Sequence, residues 1–220
     1  AYANGTVFVA ANQDPALPIP PGTGTRRPGS VQAYAATDGA LRWRAPLEQN
    51  GTATDVVGPV PANGRVYVSA RTAVGTLQAF DQVTGNRDLF IDAGSGSARW
   101  PAVSGSTVVL TTPCDTSAFD AATGASLWLQ AASCSTGNTG IPVVADGVVY
   151  SVTGTTESPD FYLLADGSPL GTYPRDGIPA ITDRVAVTTT AFRMRAVDLA
   201  TSTELWRALD RPPLQSYAIG

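Results

Sequence analysis

The sequence predicts an all-β chain, a β-propeller of about five four-stranded antiparallel blades. Two observations carry that prediction. An eleven-residue phrase recurs along the chain, as "AYAATDGALRW" (33–43), "AFDQVTGNRDLF" (79–90), "AFDAATGASLW" (118–128) and "AVDLATSTELW" (196–206). A second phrase runs in phase with it: a proline, an alternating apolar segment, an Asn/Asp/Ser-Gly turn and another alternating segment. Examples are "PVPANGRVYVSA" (59–70), "PAVSGSTVVLTT" (101–112) and "PVVADGVVYSVT" (142–153), and the same slot holds "PAITDRVAVTTT" at 179–190. Period-two alternation about Asx-Gly is the signature of a tight hairpin. Each phrase therefore supplies two strands, and no segment holds an i, i+3, i+4 apolar stripe that competes as a helix. Four strands repeating about every 40 residues describe a blade.

The units follow in order. The first spans 1–47 and opens on "AYANGTVFVAA", a shortened form of the second phrase. It is interrupted by "NQDPALPIPPGTGTRRPG" (12–29), whose five prolines and lack of periodicity predict a long surface loop. Units near 59–93, 101–132, 142–174 and 179–210 come next, together forming one domain over 1–220. The tail "RPPLQSYAIG" reads as the opening strand of another unit. Either residues 212–220 close a five-bladed ring beside residues 5–11, or the chain is part of a ring of six to eight blades. Closure would remove two exposed sheet edges.

Recurring side chains have structural explanations. Trp43, Trp128 and Trp206 stand four residues after the turn position, with Leu89-Phe90 and Tyr173 in the equivalent slots. Wedge-shaped gaps between splayed blades suit large rings, so these residues are expected to pack between blades. Asp81, Asp120 and Asp198 recur at one position of the Asp-x-x-Thr-Gly turn, where a carboxylate caps its own turn better than it ligates a metal.

Composition narrows the chemistry. The chain has no histidine, which removes Ser–His and Cys–His catalysis and histidine-liganded metals. A net charge of −4 disfavours nucleic acid as a partner, and no apolar run is long enough to span a membrane. The two cysteines, Cys114 and Cys134, flank the third Thr-Gly hairpin. Counting outward from Thr123-Gly124 places 119 near 129 and 114 near 134, so a disulfide is expected, and with it an oxidising compartment. Residues just before the unit prolines are expected to converge on one rim of the central channel: Asp55, Arg99, Trp100, Asn138 and Asp176, with Ile141 and Ile178. Trp100 is the tryptophan that the inter-blade positions do not explain. It either plugs the channel mouth or, with Arg99, anchors a ligand or partner.

The two phrases together resemble the repeats of pyrroloquinoline-quinone-type β-propellers, over residues 1–11 and 30–220. The resemblance implies the propeller fold and leaves the chemistry open. Quinone dehydrogenases of this type hold their cofactor under adjacent cysteines beside a calcium ion and an aspartate; this chain has no adjacent cysteines and no assignable calcium set. The expectation is a non-catalytic, extracytoplasmic scaffold without cofactor or metal, binding another envelope or secreted protein or a small ligand at the rim. Two alternatives stand beside it: a carbohydrate-binding module using exposed aromatics such as Trp100 and Tyr2, or the propeller part of a quinone-dependent oxidoreductase.

Overall fold

A computed structural model of the chain describes residues 1–21, 27–47, 55–71, 75–93, 100–112, 114–131, 141–151, 161–171, 179–182, 184–189, 193–201 and 203–209. These residues form five four-stranded antiparallel sheets. The first holds β1 (Tyr2–Ala3), β2 (Thr6–Ala11), β3 (Ser30–Ala35) and β4 (Leu41–Pro46). The second holds β5 (Asp55–Ala62), β6 (Arg65–Arg71), β7 (Gly75–Asp81) and β8 (Arg87–Asp92). The third is β9 (Ala102–Ser104), β10 (Thr107–Thr111), β11 (Asp115–Asp120) and β12 (Ser126–Ala131). The fourth is β13 (Val143–Ala145), β14 (Val148–Tyr150), β15 (Phe161–Leu163) and β16 (Pro169–Gly171). The fifth is β17 (Ala180–Thr182), β18 (Val185–Thr189), β19 (Arg193–Asp198) and β20 (Thr203–Leu209). In each sheet the strands lie in chain order, so every unit is a meander. Each matches an expected span to within a few residues.

The turns form for the reason the sequence suggested. Asn4, Asn63 and Asp146 adopt φ of 49°, 51° and 49°, each followed by a glycine at φ above 70°. Two consecutive left-handed residues make the hairpin turn whose twist suits paired strands. At the second turn of the second, third and fifth units the aspartate caps as expected. Asp120 Oδ1 accepts from the backbone N–H of Ala122 and Thr123 at 3.0 and 2.7 Å and from Thr123 Oγ1 at 2.8 Å. Asp81 makes the same set with Val83 and Thr84, and Asp198 accepts from the N–H of Ala200 and Thr201. These bonds hold the three carboxyls below their ordinary range. The second sheet has a register shift between β5 and β6, and every sheet has one between its third and fourth strands. That bulge inserts the extra residue that sets Trp43 opposite Ala33, Trp128 opposite Ala118 and Trp206 opposite Ala196.

The hydrophobic core lies between sheets. One cluster joins Phe8, Ala33 and Trp43 of the first sheet to Val66, Val68 and Phe80 of the second. Another joins Tyr67, Leu77 and Leu89 to Val108, Leu110 and Phe119, and a third joins Val109, Ala118 and Trp128 to Val149 and Tyr162. Trp43 is 9% exposed and Trp128 7%, and their Nε1 groups donate to the carbonyls of Gln82 and Leu164 in the next sheet. Inner strands adjoin in sequence: β2 and β5, β5 and β9, β9 and β13, β13 and β17. Among the described residues no comparable contact returns from the fifth sheet to the first.

Several details depart from expectation. Trp206 is not packed between blades; it is 45% exposed, because no described unit follows it. β5 begins at Asp55, so this innermost strand starts four residues before Pro59, with Asp55 as its first residue. Its side chain lies outside the described residues. The third hairpin pairs Ser117 with Leu129 and Asp115 with Ala131, not 119 with 129. The turn closes earlier than assumed, through Asp120 and Ala125, which draws the partners of β11 closer along the chain. The first sheet has its four strands without residues 212–220, which lie outside the described residues, as does Tyr173.

Candidate functional site

A meander puts both hairpin turns of every unit at one end of the blades and the insertion and inter-unit linkers at the other. The expected rim belongs to the linker end. There Trp100 precedes β9 and is 40% exposed, and Ile141 precedes β13 and is 36% exposed. Arg99, Asn138, Asp176 and Ile178 lie outside the described residues, so of the five polar and aromatic candidates Trp100 alone has a described side chain. Cys114 sits at the same end, at the entrance to β11. No cysteine among the described residues is free, and Cys134 is outside them.

The insertion is anchored there too, by a residue that sequence reasoning passed over. Asp14 is 1% exposed. Its Oδ2 accepts from Ser30 Oγ at 2.6 Å and Gln32 Nε2 at 2.9 Å, and its Oδ1 accepts from Ala16 N–H at 2.9 Å. Arg44 Nε stands 2.9 Å from Oδ2, an ion pair at a half-exposed guanidinium. Burial alone would raise this carboxyl. The bonds from Ser30 and Ala16, with the Arg44 charge and Gln32, outweigh burial and hold it below its ordinary value. An aspartate before a proline that bonds two residues on is the local signal available in the sequence.

The turn end carries a cleft between the fourth and fifth sheets. It has a volume of about 640 Å³ and is lined by Asp146, Val148, Tyr150, Arg184, Leu199 and Ala200. Its chemistry is clearest against the joint between the second and third sheets. There Tyr67, three residues after a turn glycine, is fully buried and donates its hydroxyl to the Ala121 carbonyl at 3.2 Å. Arg65 Nη1 donates to the same carbonyl. Tyr150 occupies the position of Tyr67 and is 8% exposed, its ring edge-on to Phe161 at 5.2 Å. Yet its hydroxyl has no hydrogen-bond partner among the described residues. Burial, with the Asp146 charge, raises its pKa, so the group remains a donor at neutral pH. Arg184 and Asp146 place a cation and an anion at the mouth. Tyr150 escaped sequence reasoning because it completes an ordinary alternating strand; its equivalence to Tyr67 was the available signal.

Five meandering sheets, with cores joining the first four in sequence and tryptophans lying over turn glycines at two of those joints, define a β-propeller built from PQQ-type repeats. A protein-family profile described as "Outer membrane protein assembly factor BamB" matches residues 1–100 and again 90–218, and the chain belongs to that family. Among curated proteins none matches. Solved structures share the fold. BamB from Moraxella catarrhalis aligns at a TM-score of 0.58 and 18% identity, over 85% of this chain and 60% of that one. The computationally designed Ika8 protein aligns at 0.73 and 14%, over 100% of this chain and 64% of that one. The quinohemoprotein alcohol dehydrogenase ADHIIG from Pseudomonas putida HK5 aligns at 0.61 and 16%, over 84% and 40%. This chain thus spans less than two thirds of each.

Proposed function

We propose that the chain is a non-catalytic, extracytoplasmic scaffold that binds a segment of another envelope or secreted protein, and that the cleft between the fourth and fifth sheets receives it. The observation that carries the reading is the Tyr150 hydroxyl, which has no hydrogen-bond partner among the described residues. In the closed joint the same tyrosine satisfies a backbone carbonyl, so the open joint offers a donor suited to a carbonyl of an incoming peptide. The cleft is of ligand-pocket size, with an apolar wall and few polar anchors. The absence of histidine from the whole chain fits binding better than catalysis.

The reading is tested by selecting peptides from a displayed library on the folded chain and measuring their affinity for Tyr150→Phe and Trp100→Ala. Loss of one hydrogen bond from a donor that faces the cleft is expected to weaken binding by Tyr150→Phe by about five- to tenfold, on the order of 1 kcal/mol. Selected peptides that ignore Tyr150→Phe and lose affinity for Trp100→Ala would move the site to the linker-end rim. The compartment rests on a proposed Cys114–Cys134 disulfide. Intact mass before and after reduction should rise by two hydrogens, and an unchanged mass removes that support.

A further inference from the structure

Each residue lining the cleft between the fourth and fifth sheets has a counterpart at the filled joint between the second and third. The turn pairings fix the correspondence. Arg65 stands opposite Ala62 as Val148 stands opposite Ala145, so Asn63, Arg65 and Tyr67 hold the positions of Asp146, Val148 and Tyr150. Ala121 N–H donates to the Ser106 carbonyl as Leu199 N–H does to that of Arg184. Ser106, Ala121 and Ala122 therefore correspond to Arg184, Leu199 and Ala200. At the filled joint the centre of this set is the Arg65 guanidinium. Its Nε pairs with Asp88 at 2.8 Å, and its Nη1 donates to the Ala121 carbonyl and, at 3.4 Å, to that of Ala122. The Tyr67 hydroxyl joins it on the Ala121 carbonyl, and Asn63 Nδ2 bridges to the Gly105 carbonyl at 2.6 Å.

The fourth sheet keeps the tyrosine and changes the other two residues. Val148 brings no guanidinium to the Leu199 and Ala200 carbonyls, and the Asp146 carboxylate cannot donate as Asn63 does. The space that an arginine at 148 would occupy is open, and it is lined by the remaining members of the set. Tyr150, 8% exposed, still points its hydroxyl there. The charges around the opening favour a cation. The field of Asp146 reaches the Tyr150 hydroxyl, whereas that of Arg184 falls on Asp198. We infer that the cleft is a guanidinium seat: the bound segment presents an arginine side chain that donates to the Leu199 and Ala200 carbonyls and pairs with Asp146. That arginine would stand to Tyr150 as Arg65 stands to Tyr67. A planar fork of donors can serve two neighbouring carbonyls and a carboxylate together, which a compact ammonium does less well. The inference rests on the reading of this cleft as a peptide site, and it names the side chain the peptide must carry.

The test takes peptides selected from a displayed library on the folded chain and resynthesises them with each arginine replaced in turn by citrulline, which keeps the shape and removes the charge. Peptides that depend on Tyr150 are expected to carry an arginine whose replacement weakens binding at least about tenfold, through loss of charge-assisted hydrogen bonds. Asp146→Asn should weaken the arginine form and leave the citrulline form unchanged. Val148→Arg supplies the chain's own guanidinium, so it should abolish binding while Tm holds or rises. Peptides that depend on Tyr150 yet tolerate citrulline overturn the guanidinium seat and leave the peptide site standing. A folded Val148→Arg chain that binds like wild type also overturns the seat. Should that variant fail to fold, the Asp146→Asn comparison decides alone, and equal losses for the arginine and citrulline forms overturn the seat. Peptides that need their arginine but ignore both Tyr150→Phe and Asp146→Asn overturn the seat and the cleft together, as does a library that yields no binder.

Discussion

Replacing Asp14 should loosen the insertion and destabilise the first sheet together. The carboxylate accepts three hydrogen bonds, from Ser30, Gln32 and Ala16, and pairs with Arg44. Bonds to a charged group each contribute about 1.5–3 kcal/mol net, but groups sharing one acceptor are not additive. The Arg44 side chain is 29% exposed, so its share is small. Asp14→Ala is therefore expected to cost about 3 kcal/mol, or roughly 6–12 °C in Tm for a chain of this size. Asp14→Asn keeps the shape and one acceptor, and should cost about half as much. The folded carboxyl titrates below the unfolded value of 3.8, so its contribution is fully present above that pH. It is lost as pH falls through the folded pKa. Urea unfolding of wild type and Asp14→Asn from pH 7 to pH 3 should show the gap closing at the acid end, and trypsin should cut the insertion faster at Arg26 and Arg27 in Asp14→Ala. An Asp14→Ala stability within about 0.5 kcal/mol of wild type, or a gap indifferent to pH, would refute the reasoning.

Gly39 and Gly167 share a φ near 73°, so alanine at either meets the left-handed backbone penalty of about 1 kcal/mol. Gly167→Ala must in addition displace the Trp128 ring, so its Tm should fall further than that of Gly39→Ala by the equivalent of about 2 kcal/mol; equal losses would mean the ring moves freely. Trp100→Ala removes a side chain that is 40% exposed and should shift Tm by less than about 4 °C for a loss under 1 kcal/mol, as read by differential scanning calorimetry. A larger drop would identify Trp100 as a plug of the channel mouth.

The fold was legible because every turn announces itself locally. Asn-Gly and Asp-x-x-Thr-Gly specify backbone conformations that neighbouring sheets do not change, and the alternation between them admits one pairing. The hairpin register was misjudged because the turn closes through Asp120 and Ala125, earlier than counting outward from Thr123-Gly124 assumes, and the bulge beside Ala118, with its surplus residue Leu127, recovers only one position. Burial at the joints was less legible still. Trp43, Trp128 and Trp206 stand in near-identical phrases, yet the first two are buried and the third is exposed, since burial is decided by whether a described sheet packs against the ring. The same limit applies to Tyr67 and Tyr150: one hydroxyl finds a carbonyl across the joint and the other faces a cleft, a difference set by the spacing of two sheets. The proline-rich insertion was rightly read as irregular, but irregular backbone does not exclude a buried charge, and Asp14 supplies one.

Because the sheet-to-sheet contacts among the described residues run between neighbours, the molecule behaves as a short one-dimensional lattice, in which stability is a sum of unit and joint contributions. Sheets two and three have both faces covered; the fifth has one. Opening should therefore start as fraying from the Trp206 side and travel inward, and amide exchange should slow from β20 toward β6, β7 and β10. A weakened joint in the middle, as between the fourth and fifth sheets, would act as a domain wall, splitting one cooperative transition into two.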